Sequence, residues 1–231
     1  MERAWPYAAP YLFLLACAEL ARWLPGEWEA PLLTLRVVVP AALLVAAARR
    51  GAFPELAAGP GPRGAALAGP RGAALDVAFG LAIAAFWLAP YLLLPELPRG
   101  EPFDPARLGA SLAPAWLALR LFGFVLVSPL VEELFVRSFL HRVVESWPAW
   151  SQFWQRPLAR PERSAFLVTV AWFTLSHAPW EWWVALPTAA LLNAWLYWRG
   201  RLRSVWIAHA VANGAIGALV AFGPWPLWSF L

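Results

Sequence analysis

The feature that most constrains the fold of this 231-residue chain is its series of long apolar stretches. A helix needs about 20 apolar residues to cross the hydrocarbon core of a bilayer. We predict an all-α fold, a polytopic membrane helix bundle with about seven transmembrane helices. One further helix, interfacial or re-entrant, is predicted over 129–146, because Pro129 lacks a backbone donor and would kink or interrupt a continuous helix. The predicted transmembrane segments are 7–24, 31–48, 73–95, 109–128, 165–180, 183–198 and 203–222.

The composition excludes several other classes of protein. Hydrophobic residues make up 61% of the chain and charged residues 14%, with a mean hydropathy of +0.57. These values exclude a disordered chain, and they argue against a water-soluble enzyme, since soluble domains carry about 25% charged residues. The single cysteine, Cys17, allows no intramolecular disulfide and no cysteine-based zinc site.

Arginine supplies the positive charge of the chain and is unevenly distributed between the predicted loops. Twelve arginines fall in alternate loops, beginning with Arg3, whereas the opposite loops hold only Arg22, Arg99 and Arg107. The positive-inside rule therefore predicts a cytoplasmic N-terminus. We expect an integral protein of a bacterial inner membrane, in contact with the lipid bilayer. No nucleic-acid binding is predicted, because the arginines are placed as membrane topology requires.

Several ionisable side chains lie inside or beside the apolar segments, where a charge is costly and is usually functional. Glu19 and Arg36, on adjacent segments, are predicted to form a structural ion pair. Two partners stay open for Arg120, namely Asp76 and a carboxylate of the next helix. The full set is Glu19, Arg36, Asp76, Arg120, Glu132, Glu133, Arg137, His177 and His209.

The segment 131–137 contains two adjacent carboxylates with different expected surroundings. Glu133 and Arg137 are four residues apart, so they share a helix face and can pair. Glu132 points about 100° away from Glu133 on a helix, and it stays free for proton chemistry. A purely structural Glu-Glu-Arg cluster is the alternative interpretation.

Two of the three histidines lie within the apolar segments. His177 follows Phe173 by four residues, and His209 precedes Asn213 by four residues on one helix face. Each histidine by itself could equally serve helix–helix hydrogen bonding. Together with Glu132, these side chains supply a base, imidazoles that hold water or donate protons, and an amide that stabilises an oxyanion.

In order and approximate spacing, three motifs resemble those of the CPBP family of intramembrane proteases, the CAAX-protease, bacteriocin-processing, Rce1-like and ABI proteins. The motifs are Glu132-Glu133-x-x-x-Arg137, Phe173-x-x-x-His177 and His209-x-x-x-Asn213. The resemblance covers about 131–213. Residues 132–140 are also similar to the exosortase-associated subgroup, which is linked with C-terminal protein-sorting tags.

The resemblance implies an intramembrane endopeptidase that cleaves near the C-terminus of a protein substrate by attack of water. Glu132 would be the general base, and His177 would assist it in activating the water. His209 and Asn213 would polarise the scissile carbonyl and stabilise the oxyanion. Glu133 and Arg137 would orient the site.

We predict a single membrane domain over 1–231, with N-terminal spans and a Gly/Pro-rich loop in 1–100 and catalytic helices in 105–222. The expected partner is a protein substrate with a C-terminal membrane-associated or sorting-type tail. No cofactor is favoured, and the alternative is zinc held by Glu132, His177 and His209. A non-catalytic membrane scaffold or immunity-type protein and a proton-coupled transporter are the other functions left open.

One conflict follows from the predicted segment limits. They place Glu132 near the inner edge of the membrane and His177 about 18 Å inside it. The two side chains cannot meet in one site at those depths. Either the segment limits or the role of His177 must therefore be wrong.

Overall fold

The protein is an all-helical bundle in a computed structural model that describes residues 2–57, 69–223 and 227–231. The prediction of an all-α fold is confirmed for these residues. Helical turns at Pro54–Ala57, Pro105–Leu108, Trp150–Gln155 and Pro179–Glu181 lie between the longer helices. The longer helices are α1 (Trp5–Leu20), α2 (Glu29–Arg49), α3 (Pro70–Leu93), α4 (Ala110–Ser146), α5 (Arg163–Leu175), α6 (Trp182–Arg199) and α7 (Leu202–Phe222).

Four helical segments among the described residues have the length and hydropathy needed to span a bilayer. They are Gly26–Arg49, which contains α2, together with α3, α4 and α7. The remaining three helices, α1, α5 and α6, coincide with predicted segments. They are not among these four, and α5 has only 13 residues. The protein is an integral membrane protein with a polytopic helical bundle.

The predicted break at Ser128-Pro129 is wrong, because α4 continues through the proline. The whole helix has 37 residues. A π-helical stretch, Gly123–Val127, precedes Pro129 and shifts the hydrogen bond of the Ser128 N–H to the Gly123 carbonyl. In this wider pattern the Phe124 carbonyl would accept a hydrogen bond from the backbone nitrogen of residue 129. That residue is proline, which has no N–H to donate. The Asn213 side chain donates to that carbonyl at 2.8 Å instead, so the helix passes the proline without a lost hydrogen bond.

Buried ion pairs and small residues hold the helices together. Asp76 of α3 receives two hydrogen bonds from Arg199 of α6, at 2.8 and 3.2 Å. Arg120 donates instead to the main-chain carbonyl of Leu231. It therefore binds neither Asp76 nor a carboxylate of the next helix, the two partners predicted for it. Gly80 allows α3 to approach the backbone of α7 closely, because a Cβ there would lie 2.8 Å from the Cβ of Val211.

Part of the predicted Gly/Pro-rich loop is packed against the bundle. The turn Pro54–Ala57 buries Glu55, whose carboxylate accepts a hydrogen bond from Arg142 at 3.0 Å and another from Ser138. Tyr7 also donates to Glu55, at 3.3 Å. The remainder of that loop, 58–68, lies outside the described residues.

Candidate active site

The predicted site residues converge on one cavity of about 570 Å³ inside the bundle. Glu132, His177, His209 and Asn213 line this cavity. Residues of α1, α2 and α3 complete its wall, so both halves of the chain contribute to it. The sequence motifs account for one side of the cavity, and the N-terminal helices supply the other.

The depth conflict disappears because the helices begin and end elsewhere than predicted. Glu132 lies within the continuous helix α4, 14 residues before its end at Ser146. His177 lies 14 residues after the start of α5 at Arg163. The predicted helix end at residue 128 was therefore wrong, and both side chains can reach the same depth.

Glu133 and Arg137 lie behind the cavity in a fully buried ion pair. Their side chains are 0% exposed and 3.1 Å apart, as the four-residue spacing predicts. Arg137 also donates to the amide oxygen of Asn193 at 3.3 Å, and its guanidinium stacks 4.4 Å from the ring centre of Phe173. This buried network fixes the position of the helix turn that carries Glu132.

Glu133 also holds His209, since its Oε1 lies 2.8 Å from Nδ1 of the imidazole. The bond orients the ring so that Nε2 faces Glu132, with Oε2 of Glu132 at 4.0 Å. A hydrogen bond at one ring nitrogen determines what the other nitrogen can do. One carboxylate therefore positions the imidazole, and its neighbour faces the same imidazole from the cavity.

Glu132 is the more accessible of the two adjacent carboxylates. Its side chain is 15% exposed, and its Oε2 has no hydrogen-bond partner within the described ranges. Glu133, by contrast, is fully buried and paired with Arg137. The two acids differ in surroundings in the way that the sequence predicts, and the carboxylate of Glu132 is the one that the cavity reaches.

His177 lies just beyond the C-terminal end of α5. Its Nδ1 is 2.7 Å from the carbonyl oxygen of Phe173. A carbonyl only accepts hydrogen bonds, so Nδ1 carries the proton and Nε2 has its lone pair available. The ring lies between the rings of Phe173 and Trp87, with centres 4.4 and 5.5 Å away. This packing fixes the imidazole at the cavity wall.

Asn193 and Thr169 belong to the site's support but were not identified from the sequence. Both are 0% exposed. Asn193 accepts from Arg137 and donates to Thr169 at 2.8 Å. A polar residue within an apolar helix is the only sequence signal for Asn193, and Thr169 gives none.

Glu181, in the turn before α6, is a second carboxylate at the cavity that was not predicted as part of the site. Its Oε2 accepts a hydrogen bond from the Ala178 N–H at 3.3 Å. Burial is the largest influence on this group, and it raises the pKa of Glu181 to about 7. Glu181 is therefore a carboxyl group that titrates near neutral pH.

The zinc alternative names Glu132, His177 and His209. Nδ1 of each imidazole is hydrogen-bonded to a protein oxygen, which leaves Nε2 of both rings free. Within the described parts of the chain, no group of three or more His, Cys, Asp or Glu side chains is arranged to hold a metal ion. The expectation that no cofactor is needed stays a prediction.

Comparison with known sequences finds a family match over part of the chain. Residues 114–215 match the sequence model of the Rce1-like family, described as type II CAAX prenyl endopeptidase. This segment, somewhat less than half of the chain, contains all six predicted site residues and supports the predicted CPBP, CAAX-protease family. The match supports a CAAX-type intramembrane protease at the family level; the exosortase-associated subgroup is not confirmed. No curated protein and no solved structure matches the chain.

Proposed function

We propose that the protein is a glutamate-dependent intramembrane endopeptidase that cleaves protein substrates near their C-terminus. One observation carries the proposal. Glu132 faces a cavity within the bundle without a hydrogen bond to its Oε2, while its neighbour Glu133 is paired with Arg137 and holds His209. A free carboxylate beside an oriented imidazole is an arrangement suited to activating water.

In the proposed reaction, Glu132 takes a proton from a water molecule in the cavity. His177 accepts a hydrogen bond from the same water through Nε2, which its bond to Phe173 leaves free. The water oxygen attacks the scissile carbonyl carbon and forms a tetrahedral intermediate. The peptide C–N bond then breaks, and the proton held by Glu132 passes to the leaving amine.

Asn213 and His209 stabilise the oxyanion of that intermediate. They lie one helix turn apart on α7 and both line the cavity. His209 acts as the imidazolium, with Nδ1–H donating to Glu133 and Nε2–H donating to the oxyanion. Glu133 holds the ring of His209 in place, and Phe124 accepts one hydrogen bond from the Asn213 amide. Because an amide group has two N–H donors, the second donor of Asn213 is available for the substrate.

The substrate class follows from where the cavity lies. A site between membrane helices admits a segment that is itself membrane-associated, so we propose a protein with a C-terminal membrane-associated or sorting-type tail. We place the protein in a bacterial inner membrane with its N-terminus in the cytoplasm, on the basis of the arginine distribution.

The test is proteolysis in reconstituted liposomes with membrane-anchored reporters that differ in their C-terminal tails. The proposal predicts cleavage of at least one tail by the wild type, survival of cleavage in a metal chelator, and its loss in His209→Ala. A scaffold would leave every tail intact, while its biological output would persist in both Glu132→Gln and His209→Ala. A proton-coupled transporter would instead give a pH-dependent flux without cleavage.

A further inference from the structure

Arg36 of α2 is a cavity-lining cation that the proposed reaction does not use. The sequence predicts a pair with Glu19, and this prediction is wrong. Glu19 instead accepts hydrogen bonds from Arg22 at 3.3 Å and from the Trp23 indole at 2.9 Å, both on its own segment. Among the described residues, Arg36 has neither a hydrogen bond nor an ion pair.

A second guanidinium lies close to the first. Arg120 of α4 lines the same cavity, and its positive charge and that of Arg36 repel each other. The two side chains also border an adjoining recess beside Ser128. Two like charges inside a membrane protein are unfavourable unless an anion accompanies them.

The glutamates that line the cavity do not form an ion pair with Arg36. Glu19 is bound to Arg22 at the exposed rim, and Glu181 is held by the Ala178 N–H. Glu132 acts on Arg36 through space but forms no ion pair with it. Arg36 therefore has no ion-pair partner among the described residues, and it lies next to the carboxylate that we place in catalysis.

We propose that Arg36, supported by Arg120, binds the C-terminal carboxylate of the substrate tail. This inference rests on the proposed function. A guanidinium matches a carboxylate through two parallel hydrogen bonds. Arg120 already shows the preference for a main-chain oxygen, since its Nε donates to the Leu231 carbonyl at 3.1 Å.

Such a subsite explains how a protease can cut near a C-terminus. The carboxylate would be anchored at Arg36 and the scissile bond would lie over Glu132, so the distance between them sets the cleavage position. A site built for a charge rejects an analogue that lacks it, because its own charge is then left unpaired. A tail that ends in a neutral amide is therefore a poor substrate.

The test compares two synthetic apolar tail peptides that differ only in a free C-terminal carboxylate or a C-terminal amide. Binding is measured to the Glu132→Gln protein in detergent, so that neither peptide is cleaved. We expect the acid to bind about 10- to 100-fold more tightly than the amide. Adding Arg36→Gln should remove the difference, and adding Arg36→Lys should keep part of it, since lysine retains the charge and loses the two-pronged geometry.

Arg22→Gln is the matched control, because Arg22 lines the rim of the same cavity but is exposed and paired with Glu19. It should leave the acid-to-amide ratio unchanged. Equal affinity for the two peptides, including no binding of either, would overturn the subsite. So would an acid preference that survives Arg36→Gln.

Cleavage of the same two tails by the protein with Glu132 intact separates this inference from the proposed function. Selective binding of the acid without cleavage of either tail would contradict the protease and support the subsite. Cleavage of both tails at the same kcat/KM would support the protease and overturn the subsite. If Arg36 acted only on Glu132, Arg36→Gln would slow both tails equally, and this outcome would also overturn it.

Discussion

At the scale of single residues, two adjacent glutamates have opposite surroundings. Helical spacing alone predicts this contrast, because Glu133 shares a face with Arg137 and Glu132 does not. The hydrogen bond that His209 donates to Glu133 joins residues 76 positions apart, and no local pattern predicts it. The Glu19–Arg36 prediction failed for a local reason, since Arg22 and Trp23 reach Glu19 from the same segment.

The two glutamates should therefore respond differently to the same substitution. Glu133→Gln leaves Arg137 buried without its counter-ion, and we expect a loss of about 3–5 kcal/mol in the free energy of unfolding. Glu132→Gln removes a carboxylate that is not paired with a buried arginine, so the unfolding temperature should stay near that of the wild type. Unfolding in detergent measures both, and equal destabilisation would contradict the contrast.

Glu181 should make stability depend on pH. Because burial raises the pKa of Glu181 from 4.5 to about 7, the folded protein favours its protonated form. Folding stability should then fall as the pH rises from 4.5 through 7. Glu181→Gln removes this loss, so between pH 5 and pH 8 the unfolding temperature of the variant should fall less than that of the wild type, by about 2–4 °C for each kcal/mol removed.

Unfolding temperatures at the two pH values measure this difference. Glu101→Gln, at an exposed position, is the control and should follow the wild type. A Glu181→Gln protein with the same pH dependence as the wild type would show that Glu181 is ionised throughout this range.

At the scale of helices, apolar segment length located the elements but did not give their ends. Pro129 was interpreted as a break because proline normally removes a helical hydrogen bond. The π-helical stretch before it and the side chain of Asn213 together compensate for that loss. Such compensation depends on a residue 84 positions away, so local sequence cannot predict it.

The contact between α3 and α7 gives a prediction at this scale. Gly80→Ala places a Cβ against the Ala208 carbonyl and 2.8 Å from the Cβ of Val211. We expect a loss of about 1–3 kcal/mol in the free energy of unfolding, measured by denaturation in detergent. Gly214→Ala is the matched control in a helix, because its nearest neighbour, a Val125 methyl, is at an ordinary 3.5 Å. That variant should be neutral or more stable, since alanine favours helix over glycine.

At the scale of the whole molecule, the site is assembled by both halves of the chain. The family match begins at residue 114, whereas Arg36 and Trp87 line the cavity from α2 and α3. Motif spacing predicts which C-terminal side chains meet. It cannot predict the opposite wall, because apolar N-terminal spans carry no pattern that fixes their rotation against the rest of the bundle.

The most direct measurement of the central claim is the initial rate of reporter cleavage in liposomes by wild type, Glu132→Gln and Glu19→Gln. The last variant carries the same substitution at the exposed rim of the same cavity. We expect Glu132→Gln to lower the rate by at least about 10²- to 10⁴-fold while remaining folded, and Glu19→Gln to retain the wild-type rate. Cleavage by Glu132→Gln within about tenfold of the wild type, well short of the loss expected of a general base, would contradict the assignment of Glu132.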